Sequence, residues 1–421
     1  MISSLYKIFL SHPVITTDTR DCPEGSIFFA LKGATFNGND FALEALNKGC
    51  AYAVVDEISE ENAKNPSFIK VDDVLVTLQQ LARHHRRQLG TRIIGVTGTN
   101  GKTTTKELIA TVLSEKYNVH YTRGNFNNHI GVPKTLLLMR PDHDIAVIEM
   151  GANHPGEIKT LVDIVEPDCG LITNVGRAHL GGFGSFEGVK RTKGELYDFL
   201  CNSGCPAFAF VNQHDADLCA MANERSLATL PYIEGKVTGC NPFVKVSIDG
   251  MDIQTHLIGT YNLPNMLAAA TVGRHFGVSD EQICHALSSY VPQNNRSQLT
   301  VTEKNHLVVD AYNANPTSMA AALLNFEAME VEGKMAILGS MGELGEVSRT
   351  EHQKVIDTLK RIGLNDVWLV GSEFAAIEHP YRQFADVEAV KEAIKAEQPS
   401  NRYILIKGSN SQKLFQLPEL L

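Results

Sequence analysis

Three stretches of the chain repeat one rhythm: a short apolar run, a turn, then an amphipathic stretch. From Ser26 to Glu57, "SIFFALKGATFNGNDFALEALNKGCAYAVVDE" predicts a strand, a Gly/Asn turn, a helix and a second strand, "AYAVV", which together make a small α/β unit. In the middle of the chain "RIIGV" leads into the helical "KTTTKELIATVLSEK", "DIAVIEM" into "HPGEIKTLVDIV", and "GLITNV" follows. Apolar strands alternating with helices predict a parallel sheet covered on both faces, whose ligands lie outside the carboxyl ends of the strands. After "VPQNNRSQ" the rhythm resumes with "HLVVDAY", "KMAILGS", "DVWLVG" and "YILIKGS", four strands of a third, Rossmann-like unit.

A chain of 421 residues exceeds one hydrophobic core. We place domains at 1–90, 91–296 and 297–421, with the polar, basic "ARHHRRQLGTR" as a solvated linker at the first boundary. His84 and His85 in that stretch are adjacent and so do not share a helix face for metal binding. Gly339, Gly342 and Gly345 are spaced Gly-x-x-Gly-x-x-Gly, which does not fit the dinucleotide fingerprint Gly-x-Gly-x-x-Gly.

Composition narrows the function. No apolar run is long enough to cross a bilayer, and the start "MISSLYKIFLSHP" lacks the features of a secretory signal, so a soluble cytoplasmic protein is expected, without membrane insertion. A formal net charge of −10 argues against broad nucleic-acid binding. The eight cysteines form no paired Cys-x-x-Cys set and read as reduced, mostly packed thiols.

The chemistry starts at "GVTGTNGKTTTKELI", Gly95 to Ile109. A strand, a glycine-rich turn and a helix aim backbone N–H groups and the helix's positive end at one spot, which suits ATP phosphates. Gly98, Thr99, Asn100, Gly101, Lys102, Thr103 and Thr104 would form this loop, with Lys102 beside the β- and γ-phosphates and the Thr103 hydroxyl on Mg²⁺. The strict motif wants glycine at position 96, which is Val96; Gly98 and Gly101 supply the close backbone approach instead. Glu149 ends the next strand and would hold the same ion, although a strand-end glutamate can equally serve as a cap or ion pair. His179 follows "GLITNVGRA", and an isolated histidine there is as readily a satisfied polar residue. Lys190, Arg191 and Lys193 lie on a helix after "LGGFGS", where a solvated face is the plain reading. A phosphate loop is shared by ligases, phosphotransferases and ATP-driven switches, so it does not by itself choose among them.

"TGTNGKTTT", "NVGRAHLGGFGSFEGVKRTKGE" and "GTYNLPNMLAAA" resemble the signature blocks of the Mur ligase family, the ATP-dependent amide-bond formers of peptidoglycan synthesis. The resemblance spans essentially the whole chain in the family's three-domain order. It implies an amino-terminal nucleotide-sugar domain, a central ATP domain and a carboxyl-terminal Rossmann-like domain. "GNFNNHIGVPKTLL", "AVIEMGANHPGEI" and "VVDAYNANPTSM" resemble the branch that adds D-alanyl-D-alanine to UDP-N-acetylmuramoyl-tripeptide. The Asp-Asn-Pro-Arg motif usual in the branch that adds diaminopimelate or lysine is absent, and folylpolyglutamate synthetases lack the amino-terminal domain.

The resemblance implies these roles. Lys102 and Thr103 meet phosphate and Mg²⁺; Glu149, His179 and a carbamylated Lys193 bind metal, with two Mg²⁺ ions in all. Asn262 and Asn265 lie beside adenine, Arg296 is the interdomain arginine, and Asp310 binds ribose. Lys102, Glu149, His179, Lys193 and Arg296 make the catalytic set. Thr19 and Arg20 in "TDTR" lie near the UDP moiety, and Asn125, Asn127, Asn128, Tyr312 and Asn315 near the substrates, with Asn313 at the domain seam. Tyr312 to Asn315 precede Pro316 and could equally be a turn. "FNGNDF", "NNRSQ" and "KGSNSQ" depart from the family's Asp-Gly-His, Pro-Gly-Arg-Leu and Lys-Gly-Ser-Arg, away from the ATP loop. A monomer that closes its third domain over the central one is expected.

Overall fold

The structure is a computed structural model and describes residues 1–178, 180–204, 207–293, 296 and 298–421. It is a mixed α/β molecule of three domains built around four sheets. The first sheet takes parallel strands β1 (Ile15–Thr16), β2 (Ile27–Phe29), β3 (Tyr52–Val55) and β4 (Phe68–Lys70) in sequence order. All three residues of β2 are buried, as expected of a strand covered on both faces.

The central sheet comprises β5 (Arg92–Thr97), β6 (Val119–Tyr121), β7 (Ile145–Glu149), β8 (Cys169–Ile172), β9 (Phe208–Val211) and β10 (Thr229–Pro231) in the order β10-β9-β8-β5-β7-β6. Every pairing is parallel. Because β7 and β8 lie on opposite sides of β5, the chain reverses its winding there and opens a crevice past the carboxyl ends of these strands.

A three-stranded antiparallel sheet follows, formed by β11 (Gly235–Cys240), β12 (Phe243–Ile248) and β13 (Met251–Ile258). It was not expected from the sequence rhythm. Its hairpin turns on Asp249 and Gly250, with φ of 47° and 84°, between the paired residues Ile248 and Met251. Positive φ at both turn residues is the geometry that matches strand twist, and Asp-Gly adopts it readily.

The fourth sheet runs β14-β15-β19-β16-β17-β18, from β14 (Gln298–Val301), β15 (Asn305–Asp310), β16 (Lys334–Gly339), β17 (Val367–Val370), β18 (Arg382–Phe384) and β19 (Arg402–Lys407). Only β14 is antiparallel to its neighbour. The four anticipated strands form its interior, and two further strands close its edges.

"ARHHRRQLG" is no solvated linker. It forms the last turns of the helix Val74–Leu89, which buries Leu78, Leu81, Ala82 and His85 on one face. His85 hydrogen-bonds the Met139 carbonyl at 2.9 Å and the Tyr6 hydroxyl at 3.1 Å. Arg83 and Arg87 both pair with Glu166, and Arg86 with Asp168. The basic run looked solvated because its partners are remote in sequence. The helix fuses the first domain's apolar residues, such as Phe9 and Val54, with Val132, Ile148 and Leu161 in one continuous core. The seven described cysteines are all free, in line with the reduced state expected; Cys205 lies outside the described residues.

Candidate active site

The phosphate loop leaves β5 and enters the helix Lys102–Ser114 at Gly101. Gly98 has φ of +142°, and a Cβ there would stand 2.0 Å from Thr173 Oγ1; Gly101 has φ of +78° and would meet Asn265 Oδ1 at 2.7 Å. These two glycines carry the conformational demand. Val96 is a buried strand residue, so a glycine there would serve no purpose in this loop.

The loop is lashed from β8 by a residue the sequence reading did not select. Asn174 accepts from Asn100 N at 3.0 Å through Oδ1 and from Thr99 N at 3.0 Å through its carbonyl, while its Nδ2 donates to the Asn100 carbonyl at 3.0 Å. Its position past β8, on the strand edge that faces the loop, was the available signal. Asn265 ties the loop on the other side: Thr105 Oγ1 donates to its Oδ1 at 3.0 Å, and its Nδ2 donates to Asn262 Oδ1 at 2.9 Å.

At the carboxyl end of β7, Glu149 is buried and accepts through Oε1 from Thr103 Oγ1 at 3.2 Å and Asn127 Nδ2 at 2.7 Å. Its Oε2 is buried with no hydrogen-bond partner among the described residues. Lys102 Nζ donates to the Thr99 carbonyl at 3.0 Å. Burial lowers its ammonium to about 8, against the opposing pull of Glu149.

Lys193 projects from the helix Phe186–Asn202, donates to the Ala152 carbonyl at 3.3 Å and lies over the Phe183 ring. Burial first, then the charge of Lys102, lowers its ammonium to about 7. It stands behind the cavity wall, which Ala152 lines. His179, its expected companion, lies outside the described residues. Among the described residues no group of three His, Cys, Asp or Glu is placed to hold a metal ion.

These elements open on one cavity of about 860 Å³ whose wall draws on all three domains. Leu75 and Gln79 come from the first, the phosphate loop with Asn125, Asn127, Asn128 and Glu149 from the second, and Asp310, Tyr312, Asn313 and Asn315 from the third. Asn262, Asn265 and Arg296 also line it. The Arg296 guanidinium stacks 4.0 Å over the Tyr312 ring. Asn128 Oδ1 accepts from the backbone N–H of Gly131, the first residue of the helix Gly131–Leu137, at 2.8 Å. Thr19 and Arg20 are not part of this wall: the Thr19 carbonyl accepts from Lys48 Nζ at 2.9 Å, and the exposed Arg20 pairs with Asp18.

The arrangement is a phosphate loop, a half-satisfied buried carboxylate and a third-domain wall closed over both. Family comparison agrees with it. The model described as Mur ligase middle domain matches residues 96–273, that of the Mur ligase glutamate ligase domain 295–410, and that of the Mur ligase family catalytic domain 13–86. The UDP-N-acetylmuramoyl-tripeptide--D-alanyl-D-alanine ligase of Bacillus subtilis is 34% identical, over 96% of this chain and 92% of its own.

The chain belongs to the Mur ligase family.

Solved structures of MurF place this Mur ligase's fold beside theirs. That from Acinetobacter baumannii superposes with a TM-score of 0.85 at 30% identity, covering 96% of this chain and 92% of that one. That from Thermotoga maritima, in complex with ADP, superposes with a TM-score of 0.84 at 26% identity, covering 97% and 96%.

Proposed function

We propose that this Mur ligase joins D-alanyl-D-alanine to UDP-N-acetylmuramoyl-tripeptide, converting ATP to ADP and phosphate in peptidoglycan precursor synthesis. The observation that carries the reading is the single cavity in which the phosphate loop, Glu149 and the third domain's Asp310 to Asn315 segment converge. The similarity to ligases of that activity over nearly the whole chain supports it.

A carboxylate resists attack by an amine because oxide is a poor leaving group. In the proposed reaction a carboxylate oxygen of the tripeptide attacks the γ-phosphorus, ADP departs, and an acyl phosphate results. The amine of D-alanyl-D-alanine then adds to the acyl carbon, and phosphate leaves as the amide forms. Lys102 and Arg296 offset the repulsion between the two anions, and the loop's backbone N–H groups hold the phosphates. Closure of the third domain excludes water that would otherwise hydrolyse the activated acid.

The residues fit a divalent cation: Glu149 Oε2 is a buried carboxylate oxygen with no partner among the described residues, and the Thr103 hydroxyl already touches the same group. Thr103 and Glu149 would hold one Mg²⁺, and His179 with a carbamylated Lys193 a second; when bound, these ions neutralise phosphate charge. Carbamylation needs a neutral amine, and an ammonium lowered to about 7 supplies one near neutral pH. Asn262 and Asn265 would flank adenine and Asp310 the ribose. Thr19 and Arg20 would meet the uridine moiety, and Asn125, Asn127, Asn128, Tyr312 and Asn315 the peptide substrates.

We place the domain boundaries after residues 90 and 296; Gly90, which closes the helix Val74–Leu89 with φ of 65°, supports the first. A monomer is the assembly we propose. Among the described residues no helix is long and apolar enough to cross a membrane, and a cytoplasmic enzyme is the reading that agrees with its use of ATP.

The test of the chemistry is isotopic. Tripeptide substrate carrying ¹⁸O in its terminal carboxylate should deliver one ¹⁸O to the released phosphate; phosphate free of label would overturn the acyl-phosphate route.

A further inference from the structure

We infer that Lys407 is a positioning residue for the nucleotide, holding the Asp310 carboxylate where it meets the ribose. The inference rests on the ligase reading, which puts ATP between the phosphate loop and the third domain. Asp310 and Lys407 end the neighbouring parallel strands β15 and β19 and are register partners. Lys407 Nζ lies 2.5 Å from Asp310 Oδ2, with side-chain exposures of 1% and 17%. A second bond runs from Nζ to the Asn313 carbonyl at 3.3 Å, so one ammonium fixes both the strand end and the segment that follows it. Both residues line the cavity.

The strand itself asks for no lysine. Ile404, Leu405 and Ile406 precede it and are buried, and an apolar residue would end β19 equally well as far as packing goes. A buried charged pair replaced by apolar groups is often neutral or favourable for stability, so its presence here points to orientation of a group rather than to packing. Lys407 engages Oδ2, which leaves Oδ1 for a ligand hydroxyl. Without the ammonium, Asp310 would lose the donor that fixes its Oδ2. It would be free to turn toward water and so lose its place as an acceptor.

The test is a double-mutant cycle read by calorimetric binding of ADP to the full chain, with thermal unfolding as the check on folding. Lys407→Gln should weaken ADP binding at least ~10-fold, about as much as Asp310→Asn, because both remove one acceptor contact at the ribose. The double variant should bind no more weakly than either single one, since Lys407 acts through Asp310. Lys407→Gln within about twofold of wild type, or additive losses in the double variant, would overturn the inference. Should Lys407→Gln not fold, Lys407→Arg carries the test: its fork displaces the carboxylate, and ADP affinity should fall several-fold, whereas wild-type affinity would overturn the inference. Wild-type protein that bound no ADP would overturn the ligase reading itself, whereas normal wild-type binding with unaffected variants would sink this inference alone.

Discussion

Asn315 Nδ2 donates to Asn100 Oδ1 at 2.7 Å, joining the third domain to the phosphate loop through one side chain. The same side chain accepts from Ser318 N at 2.9 Å and so caps the helix Pro316–Ala328. Asn315, just before Pro316, is therefore a helix cap and a domain contact at once. Serine at this position keeps a cap but is too short to reach Asn100. Asn315→Ser should leave the unfolding midpoint near wild type, while Asn315→Ala should lose about 1 kcal/mol. Both should lower kcat/KM about five- to tenfold through the lost bond across the seam. Steady-state kinetics beside thermal unfolding separates the two effects; a serine variant with wild-type kcat/KM would show that the contact plays no part in closure.

Lys193 is expected to be essential although it stands behind the cavity wall. Lys193→Ala should reduce ligation by at least about 100-fold, the scale of losing one preorganised electrostatic group. If Lys193 is carbamylated as proposed, added formate or acetate should restore part of the rate by standing in for the carbamate. A loss that no small carboxylate relieves would mean the lysine acts as an ammonium or only in packing.

The glycine that the strict phosphate-loop spacing asks for would harm this loop. Val96 is buried in β5, and Val96→Gly should cost about 2–4 kcal/mol of stability through the lost side chain and added backbone freedom, with no gain in ADP affinity. Gly98→Ala should instead abolish measurable ADP binding, because its Cβ would overlap Thr173. Denaturant unfolding and calorimetric binding check both; tighter ADP binding by Val96→Gly would contradict the assignment of the loop's glycines.

Acid should destabilise the central domain through His120. Burial lowers this imidazole to about 4, and the facing His143, Arg123 and Arg140 act in the same direction, against the Thr135 carbonyl that it contacts at 2.8 Å. The unfolded chain then binds the proton more readily than the folded one, so stability is lost as pH falls from about 6.5 toward 4. His120→Gln keeps a donor for Thr135 and removes the titration. Its unfolding midpoint should fall less than that of wild type between pH 7 and pH 4.5, and parallel curves would contradict the assignment.

The legible part of the molecule was its local grammar. Apolar strands and the helices after them marked the parallel sheets, because a doubly covered strand must be apolar along its length. Lys102, Thr103 and Glu149 were readable because a loop between strand and helix, and the end of the neighbouring strand, share one sheet edge. Asn174, just past β8, carried the same strand-edge signal, whereas Lys407 did not: its partner Asp310 is brought to it only by strand order and register. The docked helix carrying His85 was misread for the same reason, its carboxylate partner Glu166 lying on a separate segment. The antiparallel sheet, by contrast, was available. The Asp249–Gly250 pair between alternating runs is a strong hairpin signal.

The most direct test of the account is mass-resolved analysis of what the wild-type enzyme makes from UDP-N-acetylmuramoyl-tripeptide, D-alanyl-D-alanine and ATP with Mg²⁺. The account predicts a product with the mass of tripeptide plus dipeptide less one water, formed in step with ADP and phosphate. ATP consumed while the dipeptide remains intact would contradict it, and would leave the cavity to a phosphotransferase or an ATP-driven switch.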